Sequence, residues 1–154
     1  MSLEGGPVLQ MAVNEMLLQS YSGTLRVFPA VPKDWEGHFR LHAAGGFIVS
    51  AAYENEKVSY LVIESRTGEV CRLANPYPGQ SIRLYQWDEG QENWSLLYKL
   101  SGEDLEFSTK QGSTYLILPE VISPETLKST LFTGEKNSQF KQLGSAKLGI
   151  PKGF

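Results

Sequence analysis

The chain has 154 residues, of which 41% are hydrophobic and 20% charged, so we expect a buried core and not a disordered segment. Its 14 basic and 17 acidic residues give a formal net charge of -3 without any Lys/Arg run, which argues against nucleic acid as the main partner. No apolar stretch approaches the roughly 20 residues that span a bilayer, and the single cysteine, Cys71, excludes an internal disulfide and a cysteine-based zinc cluster.

The N-terminal segment predicts a helix over residues 7–20, and the preceding residues lack a signal-peptide pattern. Pro7 suits the first turn of a helix. At about 100° per residue, one wide arc is filled by Val8, Leu9, Ala12, Val13, Met16 and Leu17. Met11 and Leu18 add a second apolar strip outside this arc. Since a terminal helix of a small domain needs only one apolar face, two explanations stay open: deep burial in its own domain, or a missing neighbour.

Residues 24–118 have the pattern of an all-β domain, with turn residues about every ten positions. The predicted strands are 24–28, 38–43, 47–54, 58–65, 69–74, 81–87, 94–100, 105–109 and 113–118. The last two are predicted to form a hairpin around Gln111–Gly112. The segment 58–65 is apolar on both faces, which fits the middle of a covered sheet. The sequence therefore predicts a mainly β fold, an antiparallel two-sheet β-sandwich with one N-terminal α-helix.

The character of the chain changes after Pro119. The sequence SPETLKS predicts a short helical turn with Ser123 as its N-cap and Pro124 at the first position. Residues 132–154 are rich in Gly, Ser, Lys and Asn without a periodic pattern, which predicts an extended C-terminal tail. The predicted domain division is therefore an N-terminal helix over 1–21, a β-sandwich over 22–120, and a turn and tail over 121–154.

Residues with catalytic or metal-binding chemistry are few. His38 and His42 lie on one face of a predicted strand roughly 13 Å apart, too far to share a metal, and Cys71 fits a small buried hydrophobe. Glycoside hydrolysis needs two carboxylates across a cleft. The acidic candidates all lie at strand or turn positions where a solvated carboxylate is the default: Glu54, Glu56, Glu64 and Glu69. The sequence thus predicts no complete catalytic site, no metal and no cofactor in this chain.

Aromatic residues offer one further candidate site. Trp35, Trp87 and Trp94 could form a platform for a sugar face, together with Tyr77, Tyr85 and Tyr98. Aromatic side chains in sandwiches are more often buried in a core or an interface, because each removes a large area from water. Both interpretations stay open, and Trp35 in its proline-rich loop is the most interesting of the three tryptophans.

Three specific stretches follow one another near the N-terminus: EMLLQS at 15–20, a segment containing FPAVPKDW at 23–35, and a segment ending in AAGGF at 37–47. Together they resemble the junction in glycoside hydrolase family 95, the 1,2-α-L-fucosidase family. There the last helix of an (α/α) barrel runs into a C-terminal β-sandwich. The resemblance implies a catalytic barrel upstream in the same polypeptide, absent from this chain, in a parent that is a secreted or periplasmic bacterial protein.

The resemblance also bears on Glu4. Counting back from EMLLQS without gaps, Glu4 matches the family aspartate that helps to activate water in an inverting mechanism. Glutamate is one methylene longer, Gly5 matches the glycine that follows the aspartate in the family pattern, and the Asn-Phe that comes next is Gly6 and Pro7 here. The family's general acid and its asparagines have no counterpart in this chain. This departure implies a divergent subgroup.

Three functional hypotheses follow. The leading one is a non-catalytic accessory domain of a fucosidase-like glycoside hydrolase, which packs against and stabilises the barrel and shapes one wall of its cleft. The second is a carbohydrate-binding module that uses Trp35, Trp87 or Trp94. The third is an interaction domain that forms a homodimer through Met11 and Leu18. None of them involves nucleic acid or a membrane.

Overall fold

A computed structural model describes residues 5–127, 141–143 and 146–148, with side chains from residue 8 to residue 127. The chain divides into two compact units, Met1–Pro124 and Glu125–Phe154. In its described residues the first unit holds one helix, α1 (Gly5–Leu17), and ten strands. The strands are β1 (Leu18–Gln19), β2 (Arg26–Val27), β3 (Gly37–Ala43), β4 (Phe47–Glu54), β5 (Lys57–Ser65), β6 (Val70–Ala74), β7 (Ile82–Asp88), β8 (Asn93–Leu100), β9 (Asp104–Ser108) and β10 (Thr114–Pro119). The predicted domain limits of 1–21, 22–120 and 121–154 stay a prediction.

The region after Pro119 contains a 3-10 helix (Pro124–Leu127), where a helical turn was predicted. Pro124 occupies its first position, where the missing N–H costs no hydrogen bond. Within the second unit, β11 (Lys141–Leu143) and β12 (Ala146–Leu148) pair in antiparallel orientation. Residues 132–154 contain no periodic pattern that predicts this pair. The rest of the predicted tail, 128–140, 144–145 and 149–154, lies outside the described residues.

Six strands form one antiparallel sheet in the order β3-β4-β5-β10-β7-β8. β10 lies in its middle, and only the first of its residues, Thr114, is not buried. Its neighbour β5 is apolar on both faces as predicted, with Leu61 and Ile63 fully buried on the core side. The central strands have apolar residues on both faces because both faces lose water in this part of the sheet.

The predicted hairpin of segments 105–109 and 113–118 is wrong. β9 pairs with β6 in a separate two-stranded sheet, whereas β10 pairs with β5 and β7. The burial patterns explain the difference. β9 buries one face only, through Leu105 and Phe107, which suits a sheet with one solvated side.

The second layer of the sandwich is the β6–β9 pair, extended by Leu25. The Leu25 amide donates to the Arg72 carbonyl at 2.8 Å, and the Leu25 carbonyl accepts from the Ala74 amide at 2.9 Å. Side chains of this layer share one core with the inner face of the six-stranded sheet: Leu25, Cys71, Leu73, Leu105 and Phe107. The predicted mainly β fold, an antiparallel β-sandwich with an N-terminal helix, is confirmed.

The helix ends three residues before the end of the predicted range, 7–20. α1 ends at Leu17, and the next two residues form β1, which pairs with β2. Leu18 is only 7% exposed and belongs to the core. The predicted strip of Met11 and Leu18 on one helical face therefore does not form, because the chain leaves the helix before Leu18 and buries that side chain in the sandwich.

Candidate functional site

The three tryptophans lie toward opposite edges of the six-stranded sheet. Trp35 precedes β3 and is 43% exposed, whereas Trp87 on β7 and Trp94 on β8 are direct cross-strand partners. Four strand-to-strand steps separate β3 from β7, a distance of roughly 19 Å along the sheet. The structure therefore does not bring the three rings into one platform, and carbohydrate contact by any of them stays a prediction.

The Trp87–Trp94 pair is not flat. The two ring centroids are 5.1 Å apart and the ring planes meet at 64°, which is the edge-to-face geometry of packed aromatic residues. Two rings at this angle cannot both stack on one sugar face. Among the tyrosines of the predicted platform, Tyr77 and Tyr85 are buried, and Tyr98 is 54% exposed on β8.

The histidines and acidic candidates lie on the surface. His38 and His42 are both exposed on β3. Glu64 forms an ion pair with Arg40 at 2.7 Å, and the other acidic candidates are exposed: Glu54, Glu56 and Glu69. Within the part of the chain whose side chains are described, no group of three or more His, Cys, Asp or Glu residues could hold a metal. Glu4 lies outside the described residues.

Cys71 is fully buried in β6, as predicted for a small apolar residue. Burial raises the pKa of the Cys71 thiol to about 12, because the thiolate would lose its hydration in the core. The thiol therefore stays protonated at neutral pH. A protonated, enclosed thiol is a poor nucleophile and a poor metal ligand.

A groove of about 580 Å³ opens between four segments that lie far apart in the sequence. Phe28 follows β2, Tyr53 and Glu56 lie on either side of the β4 end, Tyr77 belongs to the NPYPG loop at 75–79, and the fourth segment runs from Pro119 at the end of β10 to Ile122. The sequence contains no local signal that joins these segments, because the groove exists only once they meet in the folded domain.

The N-terminal part of α1 has large apolar side chains in contact with water. Val8, Leu9 and Met11 are 65%, 66% and 68% exposed, and no described residue covers them. The other end of the helix is anchored, since Leu17 packs against the core and its carbonyl accepts a hydrogen bond from the Phe28 amide at 2.7 Å. Grouped exposed apolar side chains indicate an interaction surface. None of the described helices is long and apolar enough to cross a membrane.

Comparison with known proteins gives a family match and distant structural similarities. The model of "Glycoside hydrolase family 95, C-terminal domain" matches residues 19–117. Among solved structures, a Paenibacillus polymyxa xyloglucanase from glycoside hydrolase family 44 is similar at 13% sequence identity with a TM-score of 0.37. That similarity covers 48% of this chain and 16% of the xyloglucanase chain. No curated protein sequence matches the chain.

Proposed function

Because the chain belongs to the glycoside hydrolase family 95 C-terminal domains, we propose that it is a non-catalytic accessory domain that packs against a catalytic barrel upstream in the same polypeptide. The exposed apolar face of α1 is the observation that carries this proposal. α1 ends at Leu17, and the family match begins at residue 19. The helix thus lies at the junction where an upstream domain would meet the sandwich.

The energetics of this helix favour a covered state. Full burial of a Val, Leu or Met side chain stabilises by about 1.5–3 kcal/mol. Val8, Leu9 and Met11 all leave most of their surface in water. A neighbour linked by the same polypeptide covers these residues without the entropy loss of bringing two molecules together.

The anchoring of the helix explains how the domain would orient its neighbour. Leu18 is buried in the core, β1 pairs with β2, and the Phe28 amide donates to the Leu17 carbonyl. A helix held this way is a stiff extension of the sandwich. The accessory role is therefore to hold the barrel in a fixed orientation, to stabilise it and to form one wall of its cleft.

The proposal assigns hydrolysis to the upstream domain alone. We expect the isolated chain to give no turnover of 4-nitrophenyl α-L-fucoside or of other aryl glycosides. The polypeptide extended upstream of Glu4 is the positive control. Turnover by the purified chain that persists after a further chromatographic step would contradict the non-catalytic role.

Substitution of Met11 tests whether the exposed apolar face of α1 packs against the barrel. In the upstream-extended polypeptide, Met11→Glu is expected to destabilise by about 2–4 kcal/mol, because it places an unpaired charge in an apolar interface. In the isolated chain the same change is expected to stay within about 0.5 kcal/mol, since the residue is 68% exposed there. Thermal unfolding followed by calorimetry measures both.

The neighbouring exposed residue supplies the control. Gln10→Glu adds the same charge at a polar position of α1 and is expected to have little effect in either form. An effect of Met11→Glu that is equally small in the extended polypeptide would overturn barrel packing through α1. A dimer of the isolated chain in light scattering that Met11→Glu dissociates would instead favour self-association.

A further inference from the structure

The groove beside Phe28 has the dimensions and composition of a small-molecule site. Its volume of about 580 Å³ falls within the usual range of such sites, roughly 300–1,000 Å³. Aromatic, proline and aliphatic side chains line most of it, with exposed polar residues at the rim: Glu56, Lys57 and Gln80. Sites of this kind combine an apolar body with a small number of orienting polar groups.

One wall of the groove is preorganised by Asn75. Its side-chain amide donates to the Gln80 carbonyl at 3.0 Å and to the Gly102 carbonyl at 2.8 Å. Its Oδ1 accepts from the Tyr77 amide at 2.9 Å, and the Tyr77 hydroxyl donates to the Ile117 carbonyl at 3.2 Å. A ligand therefore meets a wall that is already ordered, which lowers the entropy lost on binding.

Two aromatic rings also line the groove, and one of them belongs to a residue with a strained backbone. The Phe28 and Tyr53 rings lie 5.2 Å apart at 43°, and both line the groove. The φ of 60° at Glu56 belongs, with the φ of 52° at Asn55, to the two-residue turn of the β4–β5 hairpin. Phe28 has φ of 51°, a left-handed conformation that bulky side chains rarely adopt. Such strain persists only where the surrounding structure imposes it, and it occurs preferentially at ligand sites.

The rim determines the charge of a suitable ligand. Glu56 and Lys57 are adjacent, exposed and of opposite sign, so the groove has no net attraction for an anion or a cation. Together they provide acceptors and donors for hydroxyl groups. A ligand that matches the whole groove has an apolar C–H face for the aromatic wall and neutral hydroxyls for the rim.

We propose that this groove binds a neutral pyranose unit of an oligosaccharide, with its C–H face against one of the two rings, Phe28 or Tyr53, and its hydroxyls toward Glu56 and Lys57. The site contains none of the three tryptophans and shares only Tyr77 with the predicted aromatic platform. It goes beyond the accessory role, which needs no ligand. The Met11→Glu variant tests packing against the barrel and the NMR titration tests sugar binding, so one claim can be contradicted while the other holds.

Two-dimensional ¹H–¹⁵N NMR of the whole chain tests the site. We expect cellotetraose, a xyloglucan heptasaccharide or 2′-fucosyllactose, at millimolar concentration, to shift the amides of residues 53–58 and 75–80. The anionic comparator trigalacturonate is expected to shift them less. Unchanged amides with all three neutral probes would overturn the proposal, as would a groove already covered by another segment of the polypeptide.

Glu56 and Glu92 allow a matched pair of variants, one inside the groove and one outside it. Glu56→Asn removes the carboxylate while keeping a residue that tolerates a left-handed φ, and we expect it to weaken sugar binding about tenfold. Glu92 has φ of 51° and lies outside the groove, so Glu92→Asn is expected to leave binding unchanged. Equal losses in the two variants, or stronger binding of trigalacturonate than of the neutral probes, would contradict the assignment.

Discussion

Leu73→Ala is expected to lower the free energy of unfolding by about 2–5 kcal/mol, the range for a leucine removed from a well-packed core. Leu73 is fully buried in β6 and contacts the core shared by the two sheets. The neighbouring Leu25 amide and carbonyl are hydrogen-bonded to Arg72 and Ala74, so the backbone on both sides of the new cavity is held in place. A cavity that cannot collapse makes the loss larger.

The small size of the second layer is expected to increase the loss of stability in Leu73→Ala. β6 and β9 form a sheet of two strands only, and a two-stranded sheet is marginal in water without packing against another element. Its stability therefore depends on side chains such as Leu73. Loss of that contact weakens the attachment of the whole layer to the six-stranded sheet.

Leu96→Ala is the matched control. Leu96 is 52% exposed on β8, so the same chemical change is expected to cost less than about 0.5 kcal/mol. Urea unfolding followed by circular dichroism measures both variants, and a lower midpoint at unchanged m-value identifies a stability change. Equal losses at the two leucines would contradict the assignment of β6 to a separate core-facing layer.

Strand positions were predictable from sequence because alternation and turn residues are local signals. The segment 47–54 coincides with β4, and the bounds of β5 and β7 differ by a residue from the prediction. Pairing was less predictable. Proximity in sequence favoured a β9–β10 hairpin, whereas burial on one face of β9 and on both faces of β10 decides the true partners.

The helix end and the groove show why the rest could not be predicted. Leu18 continues the apolar spacing of the helix, yet it also fits the core side of β1, so periodicity alone cannot choose between the two. The groove needs Phe28, Tyr53 and Tyr77 from separate elements. No local pattern contains the tertiary arrangement that brings them together.

Gly46→Ala is expected to destabilise the chain by about 2–5 kcal/mol, because two costs add. Gly46 has φ of 71°, where an L side chain is strained, and an added Cβ would lie 2.6 Å from Thr67 Cγ2 and 2.7 Å from Thr67 Oγ1. Thr67 cannot easily move away. Its Oγ1 donates to the Gly45 carbonyl at 2.8 Å, and a β-branched side chain has few alternative rotamers.

Gly79→Ala separates the two costs. Gly79 has φ of 72° but no atom within 4 Å of an added Cβ, so its substitution is expected to cost only the left-handed backbone term, about 1–2 kcal/mol. The additional loss of unfolding free energy in Gly46→Ala, relative to Gly79→Ala, then measures the clash with Thr67. Thermal unfolding of both variants gives this difference directly.

A second substitution tests whether contact with Thr67 causes the additional loss in Gly46→Ala. Thr67→Ala removes both atoms of the close contact, so the double variant with Gly46→Ala is expected to be more stable than the sum of the two single effects, by about 1 kcal/mol or more. Strict additivity would show that Thr67 is not the obstacle. Positive coupling would show that the glycine of the AAGGF stretch is required by the close packing of the β3–β4 turn against Thr67, so that this part of the family signature encodes the fold.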